Sequence, residues 1–214
     1  MKKEFTITMT LLFAFISLCN AQREVRLNGY ATYAFDDKFD TYYSSTQYIE
    51  GKIKGGLLWG VGIEVQIRDN TAAELIYFRQ DTEAPIRYYY NGDRDRTIEL
   101  GVNYIMLAGV RSAKVSDKVE PYGGLMLGAA IFSNKDPRGD ESDSATKFAW
   151  GLRLGTNLWL SEKVGIKLQA QLLSAVQALG GGLYLGTGGA GAGVSSYSTL
   201  LQFGLGGGLV VKVK

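Results

Sequence analysis

The sequence predicts an all-β protein: an eight-stranded antiparallel up-and-down transmembrane β-barrel, preceded by a cleaved signal peptide. Three observations predict it. Apolar residues recur with period two in eight segments, the connections between those segments alternate long and short, and the amino terminus has the order of an export signal. The expected division is a signal peptide over residues 1–21 and a barrel domain over residues 22–214.

The export signal comes first in the chain. Met1, Lys2 and Lys3 are its basic start, Met9 to Leu18 its apolar centre, and Cys19-Asn20-Ala21 its small-residue exit, so cleavage is expected between Ala21 and Gln22. Leu18 stands where acylation of Cys19 would need a small residue, which argues against a lipoprotein. Cys19 is the only cysteine of the 214 residues, so the mature chain is expected to hold itself together without disulfides.

The strands follow in order. Val25, Leu27, Gly29, Ala31, Tyr33 and Phe35 alternate with Glu24, Arg26, Asn28, Tyr30 and Thr32. From Lys52 to Arg68 the apolar series Ile53, Leu57, Trp59, Val61, Ile63, Val65 and Ile67 opposes Lys54, Gly60, Gly62, Glu64 and Gln66. That run is long enough for a tilted crossing, which takes ~9 to 11 residues. Residues 72–78 make the weakest strand, with Glu74 facing in. The fourth has Ile98, Leu100, Val102, Tyr104, Met106 and Ala108 facing out and Glu99, Gly101 and Asn103 facing in, although Ile105 and Leu107 blur its inner side. Residues 119–132 are fifth, with Gly124 and Gly128 inward. Phe148 to Leu158 is sixth, with Lys147, Arg153 and Asn157 inward, and Val164 to Leu172 is seventh, with Lys167, Gln169 and Gln171 inward. Residues 199–213 are eighth, carrying Gln202, Gly204, Gly206 and Gly208 on the small face.

Between strands the connections run 36–50, 69–71, 79–96, 112–118, 133–146, 161–163 and 174–198, in the order long, short, long, short, long, short, long. An outer-membrane barrel with both termini in the periplasm has this arrangement, and closure of an even number of strands leaves no edge unsatisfied in lipid. Tyr33, Phe35, Tyr77, Phe78, Phe132, Phe148 and Trp150 fall near the long-loop ends, with Trp59 and Trp159 elsewhere along the barrel, as an upper aromatic girdle and a thinner lower one would.

Composition narrows the function classes. Lys plus Arg number 23 against 21 Asp plus Glu, a net charge of +2 with no basic run, so no nucleic-acid partner is expected. The absence of His removes imidazole chemistry and the commonest metal ligand. A soluble ligand-binding barrel of the periplasm would put apolar residues inside and charges outside, the reverse of the faces expected here.

Several segments resemble the small outer-membrane β-barrel proteins typical of Bacteroidota, similar in architecture to the OmpA membrane domain, OmpX and OmpW. They are the signal ending Asn20-Ala21-Gln22, Pro121-Tyr122-Gly123-Gly124-Leu125-Met126-Leu127-Gly128, the stretch from Gly151 to Gly165 (GLRLGTNLWLSEKVG), and Gln202-Phe203-Gly204-Leu205-Gly206-Gly207-Gly208-Leu209. The resemblance implies a porin-like Gram-negative outer-membrane protein and no reaction. Barrel enzymes of this architecture use a His with Ser or Asp, so the chain is expected not to be an enzyme, with no cofactor. Such barrels often end in an aromatic residue, whereas this sequence ends Val211-Lys212-Val213-Lys214.

The lumen of an eight-stranded barrel is just wide enough for side chains to fill. Its expected charge network is Arg26, Glu64, Arg68, Glu74, Glu99, Arg111, Glu120, Arg153 and Lys167. With a three-residue turn after Arg68, parity sets Gln66 opposite Glu74 and Arg68 diagonal to it, while Asn157 faces Lys167 and Arg153 faces Gln171. Such charges are either an ion path or a paired plug; pairing is favoured because buried charges need partners whatever the function.

The long loops offer contacts. Tyr42 and Tyr43 sit beside acidic residues in the first, and Arg87-Tyr88-Tyr89-Tyr90 lies in the second, a pairing that suits protein, glycan or lipopolysaccharide contacts. Arg138-Gly139-Asp140 suits a turn, and the neighbouring carboxylates lack calcium-loop spacing. The uncharged glycine-rich segment 180–193 has no Lys as in a phosphate loop. The expectation is a monomeric outer-membrane protein with periplasmic termini and a structural or surface-binding role. Its partners would be outer-membrane lipid, lipopolysaccharide and a surface or secretion-system protein. The rivals are a narrow transport pore or barrel component of a secretion or assembly system, and the soluble periplasmic barrel.

Overall fold

The computed structural model describes residues 23–44, 47–88, 94–135, 144–176, 183–186, 189–192 and 200–213. In chain order the strands are β1 (Val25–Ala34), β2 (Asp37–Ser44), β3 (Gln47–Ile53), β4 (Gly56–Arg68), β5 (Thr71–Tyr88), β6 (Arg94–Ser112), β7 (Val119–Lys135), β8 (Ser144–Trp159), β9 (Val164–Val176), β10 (Leu183–Gly186), β11 (Gly189–Ala192) and β12 (Leu200–Lys212). Eight of them form the wall in the order β1-β4-β5-β6-β7-β8-β9-β12. Every neighbouring pair is antiparallel, and β12 returns to β1 from Arg26↔Lys212 to Ala34↔Gly204. This is the closed barrel expected from the alternation, and closure satisfies the wall's backbone groups without an edge.

The short turns are built by local chemistry. Asp69-Asn70 joins β4 to β5, and Asn and Asp tolerate the tight backbone such a turn requires. The other two share one device: Ser116 and Ser161 each accept, through Oγ, the backbone N–H three residues on, from Val119 and Val164, both at 3.1 Å. The sequences around them, Ser116-Asp117-Lys118-Val119 and Ser161-Glu162-Lys163-Val164, are near copies.

The long connections are more ordered than their composition suggests. β5 and β6 pair without a break from Thr71↔Arg111 to Tyr88↔Arg94, so the weakest expected strand is 18 residues long and the expected loop 79–96 is mostly a projecting ribbon. β2 and β3 form a hairpin within the expected first loop, and β3 adds to the projecting end of β5. Part of the glycine-rich segment is a second hairpin, β10–β11.

Outward residues include Leu57, Val61, Ile63, Leu75, Ile105, Leu107, Leu125, Leu152, Leu168, Leu205 and Leu209, all exposed. The inner face has an ionic part and a mainly apolar part, the latter containing Leu58, Phe78, Tyr104, Met106, Met126 and Leu173 with Gln80, Ser174 and Gln202 buried among them.

Four expectations about faces need correction. On β6 the buried residues are Val102, Tyr104, Met106, Ala108 and Val110, so its faces are the reverse of those expected and Glu99 and Arg111 are exposed on the outside. From Tyr104 to Val110 both faces of β6 are apolar or small, so hydrophobicity carried no parity signal across the crossing. The turn after Arg68 holds two residues rather than the expected three, and together with a bulge between Gln66 and Arg68 this turns Arg68 outward and sets Glu64, not Gln66, opposite Glu74. Phe78 and Phe132 pack into the lumen rather than joining a girdle. Trp159 also points inward, 8% exposed.

Candidate functional site

Alternation places one side chain in two from each wall strand inside the barrel. β1 contributes Arg26, Asn28 and Tyr30, β4 Glu64, β5 Glu74, β7 Glu120 and Tyr122, β8 Arg153, Asn157 and Trp159, and β9 Lys167 and Gln169. Room for them comes from glycine on neighbouring strands: a Cβ at Gly62 would collide with the Glu74 carboxylate, and one at Gly155 would lie 2.7 Å from the Tyr122 hydroxyl oxygen.

The centre of the site is Glu74. It accepts from the Arg153 guanidinium, from Tyr30 Oη and, at 2.7 Å, from Asn28 Nδ2. Arg153 also donates to Tyr30 Oη at 3.0 Å, closing a triangle of acid, phenol and guanidinium. Asn28 donates as well to Glu64 at 3.1 Å, and Lys167 Nζ lies 3.7 Å from that carboxylate and 4.5 Å from the centre of the Tyr122 ring.

Nearer the short turns, Arg26 holds a second acidic group. It pairs with Glu120 at 3.1 Å, lies 3.4 Å from Glu64, and donates to Glu24. Glu120 also accepts from Trp159 Nε1 at 2.9 Å, and the Trp159 ring has Lys212 Nζ 4.2 Å and the Arg26 guanidinium carbon 5.2 Å from its centroid. A vestibule of about 660 Å³ opens from here toward the turns.

Of the nine expected network residues, the structure brings Arg26, Glu64, Glu74, Glu120, Arg153 and Lys167 together and leaves Arg68, Glu99 and Arg111 outside. The six comprise three carboxylates and three cations, each at most 7% exposed, so the buried set is formally neutral. Asn28, Tyr30, Tyr122, Trp159 and Gln169 are partners that a search for charges alone overlooks. Inward parity on β1, β7, β8 and β9 is the signal that finds them. The expected pairs Asn157↔Lys167 and Arg153↔Gln171 are the observed register.

Outside the barrel, the loop-side border carries Tyr33, Phe35, Trp59, Phe148 and Phe203, all exposed, with Phe35 stacked on Phe203 at 5.8 Å and Trp59 edge-on to Tyr77 at 6.0 Å. Beyond Tyr77 the exterior of the β5–β6 ribbon turns charged. Arg79 pairs with Asp81 and Lys54 with Glu83, both at 2.8 Å, and Glu99 lines a recess of about 310 Å³ there. Tyr42 and Tyr43 lie on β2, and Arg87 and Tyr88 end β5. Ala21, Gln22, Tyr89, Tyr90 and Arg138-Gly139-Asp140 lie outside the described residues. Among the described residues no cluster of His, Cys, Asp and Glu could hold a metal ion.

No protein-family description and no curated protein matches the chain. Solved structures do. Neisserial surface protein A (NspA) is similar with a TM-score of 0.55 and 14% identity, over 88% of this chain and 96% of that one. The outer membrane protein OprG from Pseudomonas aeruginosa gives 0.54 and 12%, over 89% of this chain and 95% of that one. The chain has the fold of small outer-membrane barrels. At these identities the likeness establishes architecture and nothing about ligands or partners.

Proposed function

We propose that this chain is an integral outer-membrane protein. In this reading it is exported by a signal peptide cleaved between Ala21 and Gln22, and inserted as a monomer with termini and short turns on the periplasmic side. Its lumen is closed, and its work is structural or surface-binding, done by the loop-side ribbon and hairpins against lipopolysaccharide or a surface protein.

The inversion of faces carries this reading. A barrel with Arg153, Glu74 and Lys167 sealed inside and Leu57, Val61, Leu107, Leu154 and Leu209 exposed outside is stable only where the exterior meets hydrocarbon. A soluble ligand barrel would need the opposite arrangement. The length of the β5–β6 ribbon supports loop-side work, since β5 has 18 residues where a crossing needs ~9 to 11.

The neutral set of three carboxylates and three cations, followed by Phe78, Tyr104, Met106 and Met126, supports a plug rather than a pore. An ion would have to break buried pairs and then pass closely packed, mainly apolar side chains.

Membrane fractionation and planar-bilayer recording test the reading together. The mature protein should require detergent for release and show no stable conductance steps. Recovery in a detergent-free periplasmic supernatant would end the membrane assignment, and large reproducible single-channel steps would end the closed lumen.

A further inference from the structure

On the outer surface, at the short-turn end of the strands, two arginines share one register row. Arg68 on β4 pairs with Thr71 on β5, which pairs with Arg111 on β6, so the row reads Arg68, Thr71, Arg111. All three are exposed, and the bulge before Arg68 together with the parity of β6 puts both guanidinium side chains on the outer face. Two strand spacings separate their Cα atoms, roughly 10 Å. Among the described residues neither arginine has an ion pair or a side-chain hydrogen bond.

The same row continues into a hollow. Arg111 pairs with Gly123 on β7, and Gly123 with Leu154 on β8. Gly109, one outward position nearer the bilayer centre, faces open space, with nothing within 4 Å of where a Cβ would stand. Beside it lies a shallow recess of about 470 Å³ bordered by Arg111, Pro121, Gly123 and Leu154; the Leu154 side chain covers the Gly123 backbone, 3.0 Å from where a Cβ would stand, and is itself 70% exposed. Above it the outer face is apolar, with Leu125, Leu107 and Leu152.

We propose that this corner binds one anionic glycerophospholipid of the turn-side leaflet. Its phosphate sits between Arg68 and Arg111 with the Thr71 hydroxyl as a further donor, and one acyl chain runs from the recess beside Leu154 over the bare backbone of Gly109. Guanidinium forks suit phosphate oxygens and lose little hydration on pairing, which explains why arginine rather than lysine stands here. Two unpaired cations select a net-anionic lipid over a zwitterionic one, and the missing Cβ of Gly109 leaves volume that a chain segment fills. The site rests on the membrane reading above, since it needs the exterior to lie in lipid.

The test uses the full mature chain inserted in vesicles of mixed phosphatidylcholine and phosphatidylglycerol, then released for native mass spectrometry. Heat-modifiable gel mobility reports insertion and folding separately. The expected result is a retained phosphatidylglycerol adduct, enriched roughly tenfold over phosphatidylcholine relative to the vesicle, the equivalent of ~1.4 kcal/mol. Arg68→Gln with Arg111→Gln should bring the enrichment to parity in a barrel that still folds, and Gly109→Leu should reduce retention with both arginines present. Folded, inserted wild type with no enrichment, or a double variant that keeps it, would overturn the lipid site and leave the membrane reading intact. Failure of the wild type to insert would overturn both.

Discussion

Arg153 on β8 donates to Glu74 on β5 across the lumen, and neither side chain has any exposure to solvent. The pair is therefore an obligate one: removing either member leaves a buried charge with no water to solvate it. Arg153→Met should destabilise the inserted barrel by about 3 to 5 kcal/mol, and Glu74→Gln with Arg153→Met should recover much of that loss. Urea unfolding from lipid vesicles, followed by tryptophan fluorescence, measures both. A double variant no more stable than the single one would mean that the pair does not act as a unit.

The space for Glu74 depends on Gly62, where any Cβ would collide with the carboxylate and lie 3.3 Å from the Tyr30 ring. Gly29, on the outer face, has nothing within 4 Å of its would-be Cβ. Gly62→Val should therefore cost roughly 1 to 3 kcal/mol through overpacking, while Gly29→Val should be nearly neutral. The fraction of protein with folded gel mobility after refolding gives the comparison, and equal losses at the two positions would contradict the packing described.

Trp59 and Trp159 should report opposite environments. Trp59 is 43% exposed on the outer face beside Tyr77, whereas Trp159 is inside, donating to Glu120 between Arg26 and Lys212. In variants retaining a single tryptophan, lipids with brominated chains should quench Trp59 strongly and Trp159 little. Comparable quenching of Trp159 would place it on the lipid face.

These faces were legible in the sequence wherever the two sides of a strand differ in chemistry. On β8 and β9, Phe148, Leu152, Leu154 and Leu168 oppose Arg153, Asn157, Lys167 and Gln171, and the register derived from parity is the one observed. The contrast fails where the lumen itself is apolar, as on β6. It fails again at Arg68, because a bulge shifts parity without leaving a mark in the alternation. Trp159 misled for a different reason: an indole suits an interface as well as an internal carboxylate, and only the register brings Glu120 to its N–H. The partners of the charges, Asn28 and Tyr30, had visible parity, but which carboxylate each meets depends on strands far apart in sequence.

The reversed faces of β6 set the last test. Met106 is fully buried against the lumen cluster, while its neighbour Leu107 is 57% exposed on the outside. Met106→Ala should open a cavity inside the barrel that its packed neighbours cannot fill, at a cost of about 2 to 5 kcal/mol. Leu107→Ala should cost less, because lipid chains close over the shortened side chain. Leu107→Arg should cost ~2 to 4 kcal/mol if the position lies near the bilayer midplane. The arrangement expected from the sequence, with Met106 facing out, demands the reverse order for the two alanine variants, so their relative unfolding midpoints in vesicles decide between the two arrangements. A spin label at each position adds an independent measure, with oxygen dissolved in lipid reaching position 107 and neither lipid-soluble nor aqueous relaxants reaching position 106.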